Sequence, residues 1–240
     1  MKREFLQSTV PVTAVLFVVL SVCTLASVLV PASESKTTLT FRFIGNEAFE
    51  ISDGSTTLLS DFPYEPGAFG YMEYKFDDVR PSGNVICLIT HEHRDHFDAS
   101  LFLSQDWSVF AAPGITKGLP EERVIAFQDT VRIGALEIQA IKTPHTQHHY
   151  SYIVTWHGVR MYFTGDTESP ESLLAAEELD VAFVSPWLLE TIADSKEAID
   201  AARIIVYHHT ASQTVKRHQD AIVPKQGDTF EFQAAAEPAN

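Results

Sequence analysis

A six-residue segment of this chain, residues 91–96, contains an unusual density of side chains that bind metal ions. It reads HEHRDH, whereas the whole chain has 10 histidines in 240 residues, so a window of six would hold about a quarter of a histidine by composition. Imidazole is the commonest metal ligand, and residues two apart at the end of an extended strand point the same way. His91 and His93 can therefore share one ion. Asp95 and His96 enter the next turn and can face a second ion, and the alternative is an ordinary solvated turn.

Three further candidate ligands, His145, Asp166 and His208, each follow an apolar run that we predict to be a strand. A metal site built from distant segments needs this arrangement, and the enlarged set is sufficient for two ions that share one carboxylate. Asp166 is the natural bridge because its carboxylate has two oxygens and lies beside a glycine. Its alternative role is to cap the helix that we predict near Pro170.

Together these residues resemble the HxHxDH signature and companion ligands of the metallo-β-lactamase superfamily, over essentially the whole chain after Leu39. The resemblance implies an α/β fold, a four-layer αββα sandwich with the metals at one edge. The segment from Ile44 to Asp61 is similar to the branch of ascorbate-6-phosphate lactonase-like and N-acyl-phosphatidylethanolamine phospholipase D-like hydrolases. Here Glu47 stands where that branch usually has a smaller residue, and Phe62 follows Asp61 where that branch has a proline.

By position, the resemblance implies two divalent metal ions, for which we expect Zn²⁺, with Mn²⁺ or Fe²⁺ as alternatives that the carboxylates allow. His209 is the alternative to His208 as a ligand, and otherwise we expect it either to support the ligands from behind or to contact the substrate. His149 is either part of a polar loop or a second substrate contact. The implied ligands are His91, His93 and His145 for the first ion and Asp95, His96 and His208 for the second, with Asp166 bridging.

This ligand set predicts a hydrolase. Two cations lower the pKa of a water between them to about 7, which supplies a bridging hydroxide, and Asp95 would orient it and protonate the leaving group. We expect a small-molecule substrate with an ester, lactone or phosphodiester bond. One alternative is amide hydrolysis of the β-lactamase kind, although the best-known β-lactam hydrolases have cysteine where Asp166 stands. The other is an exported metal-binding or sensor protein of the same fold without turnover.

The composition argues against nucleic acid as a partner. The chain has 17 Lys and Arg against 32 Asp and Glu, a net charge of −15, and such a surface repels a polyanion. Only two cysteines, Cys23 and Cys87, are present, too few for a disulfide framework or a cysteine-based zinc site. We place one hydrolase domain at residues 33–232 and expect residues 233–240 to be a disordered tail.

The elements that must position the candidate ligands are mostly β-strands, with helices arriving late. We predict a hairpin turn at Asp53-Gly54, a turn at His157-Gly158, and a long loop at residues 61–82 that could wall a pocket. Predicted helices cover residues 98–103, 170–178 and 195–202. Predicted strands cover residues 39–44, 48–51, 57–59, 85–90, 109–112, 124–127, 131–133, 136–142, 151–156, 159–164, 181–184 and 204–207.

The first 32 residues indicate export. Lys2 and Arg3 precede an apolar stretch without charges, and Ala32 completes a small-residue cleavage site, which is the pattern of a signal peptide. The stretch 10–30 is also long enough to span a bilayer, so an uncleaved signal anchor is the alternative. In either case we expect the domain outside the cytoplasm, in the periplasm or the extracellular space, with membrane contact only through this segment.

If Ala32 is the cleavage point, exported protein should begin near Ser33. N-terminal sequencing or intact-mass measurement of the exported protein checks this expectation. A full-length chain that accumulates in soluble form in the cytoplasm would contradict it.

Overall fold

Two six-stranded sheets carry the fold in the computed structural model, which describes residues 37–216 and 218–234. The first sheet has the order β12-β1-β2-β3-β4-β5 and the second β11-β10-β9-β8-β7-β6. The strands are β1 Thr38–Gly45, β2 Ala48–Ser52, β3 Thr56–Ser60, β4 Asn84–Leu88, β5 Ser108–Phe110, β6 Thr130–Ile133, β7 Leu136–Lys142, β8 Tyr150–Trp156, β9 Val159–Phe163, β10 Leu179–Val184, β11 Ala201–Val206 and β12 Thr229–Gln233. The α-helices are α1 Ala99–Leu103, α2 Glu171–Leu174 and α3 Pro186–Ser195, and 3₁₀ turns cover Ala68–Gly70, Phe76–Asp78 and Glu121–Arg123.

The two sheets pack face to face over an apolar core, to which both contribute aromatic rings. In β1, Leu39, Phe41 and Phe43 are buried while Thr40 is exposed, because successive side chains of a strand point to opposite faces. The ring of Phe41 lies 6.2 Å from that of Phe183 in the second sheet. The inner faces of both sheets therefore form one core.

The outer face of each sheet is covered as well. On the second sheet, Leu188, Leu189 and Ile192 of α3 are buried in a second apolar cluster with Ala182 of β10 and other outward-facing residues. Because β10 is covered on both faces, it is apolar along nearly its whole length, as expected for an internal parallel strand. On the first sheet, α1 and the long loop after β3 form the covering layer. The αββα sandwich implied by the sequence is confirmed.

Parallel pairing gathers the carboxyl ends of several strands. In the first sheet, β3, β4 and β5 run parallel, and in the second, β9, β10 and β11 do so. Residues that follow parallel strands emerge at one edge of a sheet, which is where α/β proteins bind ligands. The chain leaves β4 just before His91, β9 just before Asp166 and β11 just before His208.

Both predicted turns are present, and they contact each other across the sandwich. Asp53 Oδ1 accepts hydrogen bonds from the backbone N–H groups of Ser55 and Thr56, both at 2.8 Å, which closes the β2–β3 hairpin. Asp53 Oδ2 lies 2.9 Å from Nε2 of His157 in the β8–β9 turn. His157 is therefore a turn residue that contacts Asp53.

Three predicted elements differ from the structure. The helix predicted at 195–202 is wrong, since α3 ends at Ser195, Lys196 adopts a left-handed conformation with φ 63°, and β11 begins at Ala201. The strand predicted at 124–127 is reduced to an isolated bridge between Val109 and Val124. The helix predicted at 170–178 is only the single turn α2.

The ends of the domain lie partly outside the described residues. The predicted signal segment, residues 1–32, lies wholly outside them, as do residues 235–240 of the predicted tail. Gln233, which we placed in that tail, is instead the last residue of β12, and the Ala234 N–H donates to the Thr37 carbonyl at 2.9 Å. Within residues 37–216 and 218–234, no helix has the length and apolar character needed to cross a membrane.

Two glycines allow a test of how β4 is held. Gly83 precedes β4 with φ +70°, and a Cβ there would lie 1.8 Å from the Ser55 carbonyl oxygen, which accepts the Asn84 N–H. Gly118 also has a positive φ, +89°, but nothing lies within 4 Å of its Cβ position. Gly118→Ala should cost only the left-handed strain, about 1 kcal/mol, which lowers the melting temperature by about 3 °C.

Gly83→Ala adds a backbone clash to the same strain, so its melting temperature should fall at least twice as far. Thermal unfolding of both variants followed by circular dichroism measures the difference. Equal shifts for the two variants would mean that β4 tolerates displacement from β3.

Candidate metal centre

The HEHRDH segment crosses from the end of β4 to the start of α1 in a tight turn. The backbone N–H groups of His96 and Phe97 both donate to the His93 carbonyl at 2.9 Å. Asp98, rather than Asp95, caps α1, since its Oδ1 accepts from the N–H groups of Ser100 and Leu101 at 2.8 and 3.1 Å. The side chain of Asp95 is thereby left to the interior.

Four side chains from three loops form the first ligand cluster. His91 Nε2 lies 3.0 Å from His93 Nδ1, and His145 Nε2 lies 3.4 Å from the same atom. Asp166 Oδ2 lies 3.7 Å from His91 Nε2 and 3.6 Å from His145 Nε2. His91 is buried, whereas His93 and His145 are exposed. The first cluster therefore has one side open to solvent.

The second ligand cluster is buried. His96 Nε2 and His208 Nε2 lie 3.2 Å apart, and Asp95 Oδ2 is 3.5 Å from each of them. Asp166 Oδ1 lies 3.4 Å from His96 Nε2 and 3.0 Å from His208 Nε2. Asp166 thus directs one carboxylate oxygen to each cluster. The structure brings together all seven ligands inferred from the sequence.

The electrostatics of the clusters suit divalent cations. Burial would raise the pKa of Asp166, but the positive charges of His96 and His208 hold it well below the ordinary value. Burial would likewise raise the pKa of Asp95, yet hydrogen bonds from His208 and His96 keep it low. Burial lowers the pKa of His91, and the charge of His96 lowers it further, so His91 is neutral.

The charge of Asp166 also affects the protonation of the two imidazoles in the second cluster. Burial disfavours a charged imidazole at His96 and His208, but Asp166 raises the pKa of both above the ordinary value. Metal ligands must be deprotonated imidazoles and carboxylates, so a cation would take the place of these protons. Asp95 Oδ1 is buried and has no hydrogen-bond partner among the described residues. The donor atoms and their charges therefore fit divalent metal ions.

His149 lies beneath Asp166 and is fully buried. Its Nε2 accepts a hydrogen bond from the Asp166 N–H at 2.9 Å, which leaves the ring proton on Nδ1, 2.9 Å from Thr143 Oγ1. Burial, together with the charge of His145, lowers the pKa of His149 to about 4, so the ring stays neutral. A Cβ on Gly165 would lie 2.4 Å from Nε2. His149 therefore positions Asp166 and does not face the solvent as a substrate contact would.

The turn between β1 and β2 supports the second cluster from below. Asn46 Nδ2 donates to the Asp95 carbonyl, and the Asn46 carbonyl accepts the His208 N–H, both at 2.7 Å. Glu47 is fully buried, with Oε2 3.5 Å from His96 Nδ1, and burial raises its pKa well above the ordinary value. This turn lies within the segment that carries the family resemblance, but its support of the second cluster could not be expected from the sequence.

Asp61 supports the same imidazole and the end of β4. Its Oδ1 accepts the Thr90 N–H at 2.7 Å, its Oδ2 accepts from Thr90 Oγ1 at 2.8 Å, and Oδ2 lies 3.2 Å from His96 Nδ1. A carboxylate behind a ligating histidine orients the ring and increases its basicity. Its position directly after β3 was a signal that could have identified it.

The loop that carries His145 is held by one lysine. Lys142 Nζ donates to the carbonyls of Gln147 at 2.7 Å and His149 at 2.9 Å. Thr146 Oγ1 donates to Glu92 Oε2 at 2.9 Å, which ties the loop to the HEHRDH turn. His145 is thereby held over the first cluster, with its side chain only partly exposed.

His209 is turned away from the clusters, so His208 is the imidazole that converges with them. His209 Nδ1 donates to the Thr210 carbonyl at 3.1 Å, and its ring stacks on Phe43 at 5.6 Å. It lines a cavity of about 420 Å³ together with Met72, Val215, Val223 and other residues. Its expected substrate contact stays a prediction.

Comparison with known proteins places this geometry in a family. The β-lactamase superfamily domain matches residues 40–207. The chain belongs to the metallo-β-lactamase superfamily. Superfamily membership is thus confirmed, while the hydrolase activity and the lactonase-like branch stay predictions.

Solved structures of the superfamily share the fold at low identity. A metallo-hydrolase from Ignicoccus hospitalis is 16% identical, with a TM-score of 0.66 and coverage of 82% of this chain and 99% of that one. The isothiocyanate hydrolase from Delia radicum gut bacteria is 14% identical, with a TM-score of 0.60 and coverage of 82% and 100%. A metallo-β-lactamase fold protein from Bacillus subtilis is 16% identical, with a TM-score of 0.58 and the same coverage. These similarities concern the fold alone.

Removing the support beneath Asp166 should weaken metal binding. His149→Ala leaves the Asp166 N–H without its acceptor, and loss of such a partner typically lowers metal affinity by about 10- to 100-fold. His149→Gln retains an acceptor and should recover part of the loss. Chelator competition measures the affinities.

His157→Ala is the matched control, since His157 contacts Asp53 in a turn that contributes no ligand. Its metal affinity should equal that of the wild type. If folded His149→Ala also binds metal as the wild type does, His149 does not position Asp166.

Proposed function

We propose that this chain is a binuclear metal-dependent hydrolase that cleaves an ester, lactone or phosphodiester bond of a small molecule outside the cytoplasm. The observation that carries the proposal is the position of Asp166. One oxygen lies 3.6–3.7 Å from imidazole nitrogens of the first cluster and the other 3.0–3.4 Å from those of the second. A carboxylate placed in this way joins two sites into one centre.

The donors divide unequally between two metal ions. His91, His93 and His145 would hold the first ion with one oxygen of Asp166, and His96, His208 and Asp95 would hold the second with the other oxygen. Such mixed nitrogen and oxygen sets suit Zn²⁺, with Mn²⁺ or Fe²⁺ as alternatives at the site richer in oxygen. Two bound ions would lower the pKa of a water between them from far above the physiological range to about 7 and polarise the substrate oxygen.

Asp95 is the residue that we assign to proton transfer. Its Oδ2 faces His96 and His208, while Oδ1 has no hydrogen-bond partner among the described residues. Asp95 is ionised, and its Oδ1, unpartnered among the described residues, would accept a proton from the attacking water and pass it to the leaving group. General acid–base catalysis of this kind contributes about 10²- to 10⁴-fold in rate.

Turnover is favoured over simple metal storage by the open side of the first cluster. His93 and His145 are exposed, and catalytic metal sites keep a position open where structural sites are closed. The presence of Asp166 in place of cysteine favours esters, lactones and phosphodiesters over β-lactams.

Elemental analysis of protein purified without chelator tests the proposal, with about two equivalents of divalent metal expected. A hydrolysis screen on lactones, bis-p-nitrophenyl phosphate and phospholipids then tests turnover. Absence of metal from protein supplied with zinc would overturn the binuclear centre. Two bound ions without turnover of any of these substrates would favour the sensor alternative.

Asp95→Asn separates metal binding from chemistry. The variant keeps the size of the side chain but loses its charge and its capacity to accept a proton, so kcat should fall by about 10²- to 10⁴-fold. The first ion should be retained because Asp95 does not belong to its cluster. Steady-state kinetics and metal content measure both effects.

Asp98→Asn is the matched control, because asparagine also caps a helix. It should leave kcat, metal content and melting temperature near those of the wild type. An Asp95→Asn protein with two bound ions and normal kcat would show that another group transfers the proton.

A further inference from the structure

Three aromatic side chains stand edge to face against candidate ligands, and we call Phe69, Tyr71 and Trp187 the aromatic rim. The ring of Phe69 lies 6.5 Å from that of His93 at 69°. The rings of Tyr71 and Trp187 lie 4.3 and 4.8 Å from that of His208, at 90° and 74°. The rim is therefore in contact with both ligand clusters.

Phe69 is exposed although burial would stabilise it. It is 66% exposed, and only Leu103 among the described residues is another large apolar side chain with high exposure. Burying a phenylalanine side chain stabilises a fold, and this protein lacks that contribution at Phe69, beside the candidate metal centre. An exposed apolar side chain at the mouth of a site is available to a ligand.

The backbone at Phe69 is also held in an unfavourable conformation. Its φ is 51°, in the left-handed region that is unfavourable for a residue other than glycine. Two backbone hydrogen bonds close the turn around it, from the Gly70 N–H to the Gly67 carbonyl at 3.1 Å and from the Tyr71 N–H to the Ala68 carbonyl at 3.0 Å. The loop therefore holds the ring outward by its own backbone structure.

Contacts with the ligand-bearing segments place the rim. The guanidinium of Arg94, within the HEHRDH segment, lies 5.0 Å from the centre of the Phe69 ring, and Arg94 is paired with Glu65 at 3.4 Å. Trp187 Nε1 donates to the carbonyl of Thr167, the residue after Asp166, at 3.2 Å. Because the positive charge of Arg94 is paired with the negative charge of Glu65, the surface beside the Phe69 ring has no net charge from these two residues.

We propose that the aromatic rim, with Phe69 as its exposed member, binds a flat apolar group, such as an aryl ring, attached next to the scissile bond of the substrate. This inference rests on the proposed function, which places the scissile bond over the two clusters. Aromatic pairs attract each other beyond the effect of the area that they bury, so Phe69 is the residue that sets the preference for aryl over alkyl groups.

Binding of phosphate monoesters to the Co²⁺-substituted full chain tests the proposal without turnover. Inorganic phosphate, methyl phosphate and phenyl phosphate are titrated while the visible absorption of the metal is followed. The wild type should bind phenyl phosphate about tenfold more tightly than methyl phosphate. Phe69→Ala should lose most of this preference, and Phe69→Leu should retain an intermediate part of it.

Leu103→Ala is the matched control, because Leu103 is exposed on α1 and is not part of the rim. It should keep the full preference for phenyl phosphate. Circular dichroism and metal content show whether each variant is folded and has bound Co²⁺. Because Phe69 is exposed, its replacement should leave the fold intact.

The outcomes separate the two proposals. If no phosphate compound changes the cobalt spectrum, the centre has no open position and the proposed function fails. If inorganic phosphate binds but phenyl phosphate has no advantage, or Phe69→Ala keeps that advantage, the aryl-binding role is overturned while the hydrolase stands. A change of oligomeric state in Phe69→Ala with an unchanged preference would also overturn it, since the ring would then serve contact between copies.

Discussion

The structure depends on one buried negative charge, the carboxylate of Asp166, held between two sets of imidazoles. Burying an ionised carboxylate is costly unless opposite charges and hydrogen bonds compensate it. Here His96 and His208 provide the charge on one side, the first cluster faces the other oxygen, and His149 holds the backbone. Gly165 must lack a side chain for that last contact to form. The two ligand clusters are therefore arranged so that they compensate the buried charge of Asp166.

The supports of the clusters come from elements that contribute no ligand. The β1–β2 turn holds the backbone of Asp95 and His208 through Asn46, while Asp61 orients the His96 ring and fastens the end of β4. These contacts are buried, so the second cluster is closed to solvent. The first cluster lies at the surface, and Phe69 stands beside it. The proposed access of a substrate is therefore from the first-cluster side, whereas buried contacts between the two sheets form the floor of the site.

Periodicity of apolar residues predicted most strands, because alternation in β1 and continuous apolarity in β10 follow directly from burial on one face or on two. It failed at residues 195–202, where the apolar residues Ala198, Ile199 and Ala202 have a spacing that fits a helix but are too few to exclude other structures. The structure ends α3 at Ser195 and uses Ala201–Val206 as a parallel strand beside β10. The proline at the first position of α3, after Ser185, was a start signal for that helix.

The sequence by itself determined the types of donor side chain, their order along the chain and the superfamily. The reason is that the chemistry of each side chain and the spacing within HEHRDH are fixed by the order of residues and do not depend on folding. Tertiary structure alone decided that His208 converges with the clusters while His209 turns away, and that His149 lies under Asp166 instead of facing a substrate. Adjacent residues at a strand end point in directions that depend on local dihedral angles, such as the φ of 51° at His208, and on packing from the opposite sheet. Neither quantity can be read from residue order, because both arise only when the two sheets meet.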